Sequence, residues 1–306
     1  MSFSVKTKEE LSQLKNTSSE LVAVLSGFVR NNGYIKDDKL IITTEIDKIE
    51  KMLKKYFKYL YDIEVKENKI DNLNLYKNKI NEITVEDKTY FILEDLGVID
   101  KNKKYLEKVP DYIIDGNEEI RGYLRGVFLS SGSINDPQSG YHLEFKIREK
   151  EEAVEVQKLL NIFDLNAKIL SRDKGYMIYL KEAEKISDFL KLIHASNAVL
   201  YYENVRVYHE EKNKTNRLNN CEQANIDKVV DAGISQLENI NLIEKNISLE
   251  SLDEKLKLVA IYRKKYPEAS LKELSKIIEM EAGVKITKSG LNHRFRKIKE
   301  ISDKFR

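Results

Sequence analysis

The chain has 306 residues, 34% of them charged and 41% hydrophobic, with a net charge of +2. This length allows two domains with separate cores, and the composition is that of a folded protein. The longest apolar stretches, such as residues 21–25, are too short to span a bilayer, and the N-terminus lacks the apolar core of a secretory signal. We expect a cytoplasmic protein without a membrane partner. The single cysteine, Cys221, has no nearby Cys or His, so we expect neither a disulfide nor a metal, and no cofactor is indicated.

The positive charge is concentrated near the C-terminus. Residues 285–306 carry eight basic and two acidic side chains, a net charge of +6, which leaves −4 for the rest of the chain. Basic runs are most often solvated tails, but this one also has the apolar spacing of a helix. We therefore expect any attraction for nucleic-acid phosphates to be located there.

Residues 1–205 alternate between helical and strand-like segments, and their order repeats. In the first half, helices are predicted at 8–14, 20–30, 47–60 and 89–96, and strands at 34–42, 63–65 and 80–85. In the second half, helices are predicted at 118–130, 151–163 and 183–194, and strands at 141–147, 167–171 and 176–180, after a turn at 135–140. The pattern predicts an α+β domain built from two αββαββα repeats, about 1–100 and 115–205.

Two nine-residue stretches support this duplication, 25–33 (LSGFVRNNG) and 124–132 (LRGVFLSSG). Each has Leu first and Gly third and ninth, which is similar to the LAGLIDADG motif of homing endonucleases. A mid-helix Gly costs about 1 kcal/mol relative to Ala, so we expect these helices to approach each other closely. We expect the final glycines, Gly33 and Gly132, to end the helices in a left-handed conformation. The alternative is two ordinary amphipathic helices that contain glycine, which would leave the repeated order of elements unexplained.

The resemblance also indicates which chemistry is missing. In homing endonucleases the eighth motif position is an acid, and the two acids hold divalent cations at the scissile phosphates. Here these positions are Asn32 and Ser131, and the sixth positions are Arg30 and Leu129, so none of the four is anionic. We therefore expect a degenerate site with no catalytic residue and no metal.

No other catalytic pattern is present in the sequence. It has no Gly-rich phosphate loop with a Lys, no His-Glu pair at zinc spacing and no Gly-x-Ser-x-Gly elbow. The four histidines are scattered at positions 142, 194, 209 and 293. We predict that the protein is not an enzyme.

Beyond residue 205 the pattern becomes wholly helical. Residues 206–220 are polar and are predicted as a linker, and residues 221–306 as an all-α DNA-binding domain. Helices are expected at 221–240 and 252–266, and a helix-turn-helix at about 270–302.

Ser270 and Glu273 form a capping-box pattern, which predicts the start of a helix. After a turn around Gly283, Thr287 or Ser289 can cap a second helix.

The second of these helices has two contrasting faces. Leu291, Phe295 and Ile298 share an apolar face, whereas Ser289, Asn292, His293 and Arg296 fall on the opposite side. Arg can pair with guanine and Asn with adenine in the major groove, while other basic residues suit phosphates. The predicted DNA-binding residues are Lys288, Ser289, Asn292, His293, Arg294, Arg296, Lys297 and Lys299. The alternative is a basic surface helix in a small bundle.

Four stretches are long and distinctive: 123–145 (YLRGVFLSSGSINDPQSGYHLEF), 216–225 (NRLNNCEQAN), 270–278 (SLKELSKII) and 287–298 (TKSGLNHRFRKI). Together they resemble the WhiA family of bacteria. That family joins a degenerate LAGLIDADG domain to a sigma-factor-like helix-turn-helix. The resemblance implies a nucleoid-associated regulator that binds double-stranded promoter DNA of cell division, chromosome segregation or sporulation genes. It also implies a protein partner, RNA polymerase or another regulator.

Two alternatives stay open. The first is an active nuclease with displaced metal ligands, for which Asp37 and Asp136 are the nearest acids in sequence, although both are expected in turns. The second makes residues 1–205 a module that docks another protein, with DNA binding confined to the C-terminal helices, because the negative charge lies outside the C-terminal segment.

Overall fold

The computed structural model describes residues 1–71 and 79–306 and divides into two compact units, 1–209 and 210–306. The first unit is α+β and the second is helical, as the sequence predicts.

The first unit contains two copies of one arrangement, preceded by an extra helix, α1 (Phe3–Leu11). The first copy comprises α2 (Ser18–Asn32), β1 (Tyr34–Lys36), β2 (Lys39–Thr44), α3 (Asp47–Tyr61), β3 (Lys66–Asp71), β4 (Lys79–Val85) and α4 (Thr89–Asp95). The second comprises α5 (Asn117–Ser131), β5 (Gly132–Ile134), β6 (Leu143–Ile147), α6 (Lys150–Ile162), β7 (Lys168–Arg172), β8 (Gly175–Leu180) and α7 (Ala183–Leu192). Their antiparallel sheets have the orders β1-β2-β4-β3 and β5-β6-β8-β7, so the predicted duplication is confirmed.

Two predicted strands of the first copy differ from the structure. The segment 34–42 is a hairpin rather than one strand, because Asp37 and Asp38 have φ values of 50° and 58° and reverse the chain there. The prediction of a strand at 63–65 was wrong, since β3 begins at Lys66. Ile63 is apolar because its side chain is buried in the core after the left-handed Asp62 ends α3.

The paired helices α2 and α5 touch through their backbones. A Cβ atom on Gly27 would overlap the carbonyl oxygen of Tyr123, and one on Gly126 would overlap that of Val24. Glycine is therefore required at both positions by the close approach that the motif predicts. The two repeats are therefore joined along the contact between α2 and α5.

The reason for the final glycines of the motif is different from the predicted one. Gly33 and Gly132 have φ values of −74° and −79°, so the expectation of a left-handed conformation was wrong. A Cβ on either residue would lie 2.8 Å from the carbonyl oxygen four residues earlier, on Val29 or Phe128. Glycine is needed here because each helix turns directly into a strand with no room for a side chain.

A buried ion pair also connects the repeats. Arg30, at the sixth position of the first motif, donates from Nε to Glu152 of α6 at 2.8 Å and from Nη1 to the Gly97 carbonyl at 2.6 Å. Tyr123 donates its hydroxyl to the same carboxylate. Removing one member would leave a buried charge without its partner, which is costly.

The segment 206–220, predicted as a linker, is helical, because α8 runs from Ser196 to Ile247. The side chains of residues 210–232 are all exposed. This exposure explains why the sequence there is as polar as that of a linker. This stretch contains neither Pro nor Gly to interrupt a helix. The proposed domain boundaries at 205 and 220 stay a prediction.

The second unit continues with α9 (Glu254–Lys265), α10 (Leu271–Ala282) and α11 (Lys288–Ser302). These helices and the end of α8 enclose a small apolar core. The buried Arg263 fixes the connection between α9 and α10, since its Nη1 donates to the carbonyls of Tyr266, Pro267 and Ala269 at 3.3, 3.2 and 2.6 Å. Its guanidinium also lies 5.4 Å from the ring centre of Phe295 in α11.

The helix pairing can be tested with two graded substitutions. Gly126→Ala places a methyl group on a backbone carbonyl, and we expect it to lower the free energy of unfolding by about 2 kcal/mol or more. Gly122→Ala meets its nearest atom, the Glu20 carbonyl oxygen, at 3.1 Å, so its loss should be clearly smaller. Urea unfolding followed by circular dichroism measures both. Equal losses would contradict the backbone contact.

Candidate nucleic-acid interface and degenerate helix-end site

The helix-turn-helix segment is built as the sequence predicts. Ser270 Oγ accepts from the Glu273 amide at 3.3 Å and Glu273 Oε2 accepts from the Ser270 amide at 2.8 Å, so the capping box begins α10. The hydrogen bond from the Ser270 amide also lowers the pKa of Glu273. Gly283 ends α10 with φ +65°, and Thr287 begins α11 by accepting from the Gly290 amide at 3.1 Å.

The two faces of α11 are arranged as predicted. Leu291, Phe295 and Ile298 are buried against α9 and α10. All the predicted DNA-binding residues except Arg294 are exposed: Lys288, Ser289, Asn292, His293, Arg296, Lys297 and Lys299. Arg294 is half-buried, and its Nη1 is buried with no hydrogen-bond partner. Arg294 is therefore less available to phosphates than the sequence suggested.

The cations of α11 are not neutralised by the protein. Within the described ranges, the side chains of Arg296, Lys297 and Lys299 form no ion pair. By contrast, Lys264 and Lys265 of α9 pair at 2.6 Å with Glu244 and Glu281. The positive charge of α11 is thus free to act on an approaching anion.

The structure adds two cations that sequence reasoning missed and shows the exposure of a third, which the sequence analysis counted only within the basic segment 285–306. Lys272 and Lys276 are exposed on α10, and Lys285 is exposed in the turn before α11. The helical period of α10 could have revealed the first two, because they lie opposite its buried Leu274 and Ile278. Glu300 is exposed one turn after Arg296, which confines the favourable charge to the first three turns of α11.

The degenerate motif positions lie at the ends of α2 and α5, and both side chains are used locally. Asn32 Oδ1 accepts from the Thr43 amide of β2 at 2.9 Å. Ser131 Oγ donates to the Val127 carbonyl of its own helix at 3.0 Å. Within residues 1–71 and 79–306, no group of three or more Asp, Glu, His or Cys side chains is arranged to hold a metal ion.

The two acids considered as displaced ligands lie in turns. Asp37 is in the β1–β2 turn with a positive φ. Asp136 accepts from the Gln138 amide at 3.0 Å and from the Tyr201 hydroxyl at 3.1 Å. Asp37 therefore has the backbone conformation of a tight turn, and the carboxylate of Asp136 already accepts two hydrogen bonds.

A lysine side chain, that of Lys8, lies near the ends of α2 and α5. Lys8 of α1 is half-buried, and its Nζ lies 5.6 Å from the ring centre of Phe128 near the end of α5. Burial lowers the pKa of Lys8 to about 8, against a smaller opposing effect of Glu45. Sequence reasoning missed Lys8 because no local pattern shows where α1 packs.

No helix in the described part of the chain is both long and apolar enough to cross a membrane.

Fold and site together define a class of protein, a duplicated LAGLIDADG-type domain joined to a C-terminal helix-turn-helix. Residues 120–212 match the WhiA LAGLIDADG-like domain, and residues 215–302 match the WhiA C-terminal HTH domain. The chain belongs to the WhiA family.

Relatives and solved structures agree over the full length. The chain is 39% identical to the probable cell division protein WhiA of Exiguobacterium sibiricum, covering 100% of this chain and 97% of the relative. It is 41% identical to that of Shouchella clausii, covering 100% and 95%. The crystal structure of full-length DUF199/WhiA from Thermatoga maritima superposes with a TM-score of 0.62 at 26% identity, covering 100% and 99%.

Lys8 gives a stability test with a defined pH dependence. The folded-state pKa of about 8 lies below the usual 10.5, so the ammonium penalises folding fully below pH 8 and not at all above pH 10.5. We expect Lys8→Met to raise the free energy of unfolding at pH 7 by roughly 1–3 kcal/mol, a value reduced by partial exposure, with little gain near pH 10.5.

Lys6→Met is the matched control, because Lys6 is exposed on the same helix. It should change stability little at either pH. A gain from Lys8→Met that does not depend on pH would show that the ammonium is not penalised.

Proposed function

We propose that this protein is a sequence-specific DNA-binding transcription regulator with no nuclease activity. In this proposal α11 lies in the major groove, and its target sites are promoters of cell division, chromosome segregation or sporulation genes. The protein would act in the cytoplasm, on the nucleoid. In this proposal the protein binds a protein partner, which is RNA polymerase or another regulator.

The proposal of DNA binding rests on one observation. The face of α11 opposite its apolar face is exposed, and its cations are not neutralised by acids among the described residues. Asn292, His293 and Arg296 are exposed side by side on a helix whose opposite face is locked into the core by Leu291 and Phe295. Arg and Asn have the donor geometry that reads guanine and adenine edges. Lys288, Ser289, Lys297 and Lys299 flank that face, and we assign them to the DNA backbone together with the less exposed Arg294.

The helix ends support the absence of nuclease chemistry. Phosphodiester cleavage by a metal mechanism needs anionic oxygen ligands for a divalent cation. Asn32 and Ser131 supply none, and their oxygens bond to Thr43 and Val127. The family members named above are called probable cell division proteins, which agrees with a role other than DNA cutting.

A second candidate role concerns residues 1–209. These carry 33 basic and 35 acidic residues, a net charge of −2, whereas residues 210–306 carry 20 and 16, a net charge of +4. A negative unit is a poor general ligand for duplex DNA. The charge therefore favours a protein as the partner of the first unit.

Substitutions in α11 test the proposal on promoter fragments recovered by chromatin immunoprecipitation. We expect Arg296→Ala to weaken specific binding by about 1–3 kcal/mol, because a base contact is lost. Lys297→Ala should weaken binding evenly across sequences and reduce the salt slope by about 1, because a phosphate contact is lost. Fluorescence anisotropy against cognate and scrambled duplexes over a salt series measures both.

The control is Lys264→Ala, which also removes an exposed cation, but one that is paired with Glu244. It should leave discrimination between the duplexes unchanged. Wild-type binding by both α11 variants would show that α11 is not the reading surface. If the variant that combines Arg296→Ala and Lys297→Ala still distinguished cognate from scrambled duplexes as well as the wild type, DNA recognition would have to be assigned to the first unit.

A further inference from the structure

A cavity of about 760 Å³ lies where α2 and α5 end, and we call it the helix-end pocket. Its lining includes Lys8, Asn32, Thr44 and Ser133 as polar groups and Phe28 and Leu129 as apolar ones. The volume lies within the range of small-molecule sites, and most of the lining residues are polar, which favours a polar ligand.

The Lys8 ammonium has donors to offer in this pocket. Within the part of the chain that the structure describes, its Nζ has no hydrogen-bond or ion-pair partner, and it lies 5.6 Å from the centre of the Phe128 ring. An ammonium carries three N–H donors, and a desolvated one is costly without acceptors. Its lowered pKa reflects this cost. An anionic oxygen would remove the cost.

Asn32 supplies the second group. Its Oδ1 is held by the Thr43 amide at 2.9 Å, which leaves the Nδ2 donors of the same side chain without a protein acceptor among the described residues. An aspartate at this position would present only acceptors and attract a cation. An asparagine has no anionic oxygen and presents N–H groups, so it can bind an anion.

The surrounding charges leave the pocket suited to one anionic group. Glu45 and Asp47 are exposed acids at its rim, and Asp47 accepts from Asn81 at 2.9 Å. Lys69 of β3 is a second cation on the lining. The two acids and two cations on the described lining are equal in number, but Glu45, Asp47 and Lys69 are exposed whereas Lys8 is half-buried, so the least solvated of these charges is positive.

Helix α1 connects the two repeats across this pocket. Ser4 Oγ accepts from the Ile134 amide of β5 at 3.3 Å, and Glu9 pairs with Lys48 at the start of α3 at 2.6 Å. Through Ser4 and Lys8, α1 forms one wall of the pocket.

We propose that the helix-end pocket binds a small molecule carrying a phosphate group, held by the Lys8 ammonium and the Asn32 amide. A phosphate offers enough oxygens to accept from both groups at once. The Thr44 and Ser133 hydroxyls suit a ligand body with hydroxyl groups. The binding of such a molecule would tie α1 to both repeats.

Isothermal titration of the full-length protein at pH 7 and constant ionic strength tests this, with adenosine monophosphate, inorganic phosphate and acetate as probes. We expect saturable one-site binding of both phosphate probes and weaker binding of acetate. Lys8→Met and Asn32→Asp should each reduce the affinity roughly tenfold or more, because each removes a charge-assisted or amide donor. Lys6→Met, an exposed change on the same helix, should have no effect.

The other outcomes overturn the proposal. Unchanged phosphate affinity in Lys8→Met would place the anion elsewhere. A loss seen only in Arg296→Ala or Lys297→Ala would assign the anion to α11. No binding of either phosphate probe up to about 20 mM, a concentration that detects even very weak sites, would exclude such a site. If Lys8→Met instead weakens only duplex DNA binding, the phosphate belongs to DNA and not to a small molecule.

Discussion

The backbone contact between α2 and α5 is the constraint on which the first unit depends. Gly27 and Gly126 leave no space for a side chain, so each helix packs against the carbonyl groups of the other. Glycine lowers the stability of each helix, but at both positions it allows the backbones of α2 and α5 to approach closely enough to join the two repeats. The buried Arg30–Glu152 pair connects the same two repeats. One consequence is that the two motif ends must lie close to each other.

What the helix ends can do depends on a few side chains. The endonuclease motif that the sequence resembles has two acids at these positions, whereas this chain has Asn32 and Ser131. Of the two, Asn32 lines the helix-end pocket together with Lys8 of α1, and Ser131 lines a separate cleft. Lys8 adds a positive charge to this region, although the exposed Glu45 and Asp47 also line the pocket. In the binding proposal above, the N–H groups of Lys8 and Asn32 favour an anion there. The positive charge that suits DNA lies instead on α11.

Local signals predicted most of the fold. The capping box at Ser270, the turn around Gly283 and the apolar face of α11 each depend on residues within a few positions, and the structure confirms all three. Long-range contacts could not be predicted. Nothing near Lys8 in sequence shows that α1 crosses between the repeats, and nothing near Arg263 shows that it anchors the α9–α10 connection. The motif glycine Gly33 was predicted correctly as a helix end but for the wrong reason, since crowding and not φ requires it.

The central claim is that the paired helix ends cannot hold the cation that DNA cleavage needs. Anomalous scattering from manganese, in crystals of the protein bound to a duplex and soaked with Mn²⁺, tests it most directly. The account predicts no anomalous peak beside Asn32 and Ser131 and an intact duplex. An ordered manganese ion at that position, next to a nicked strand, would contradict it.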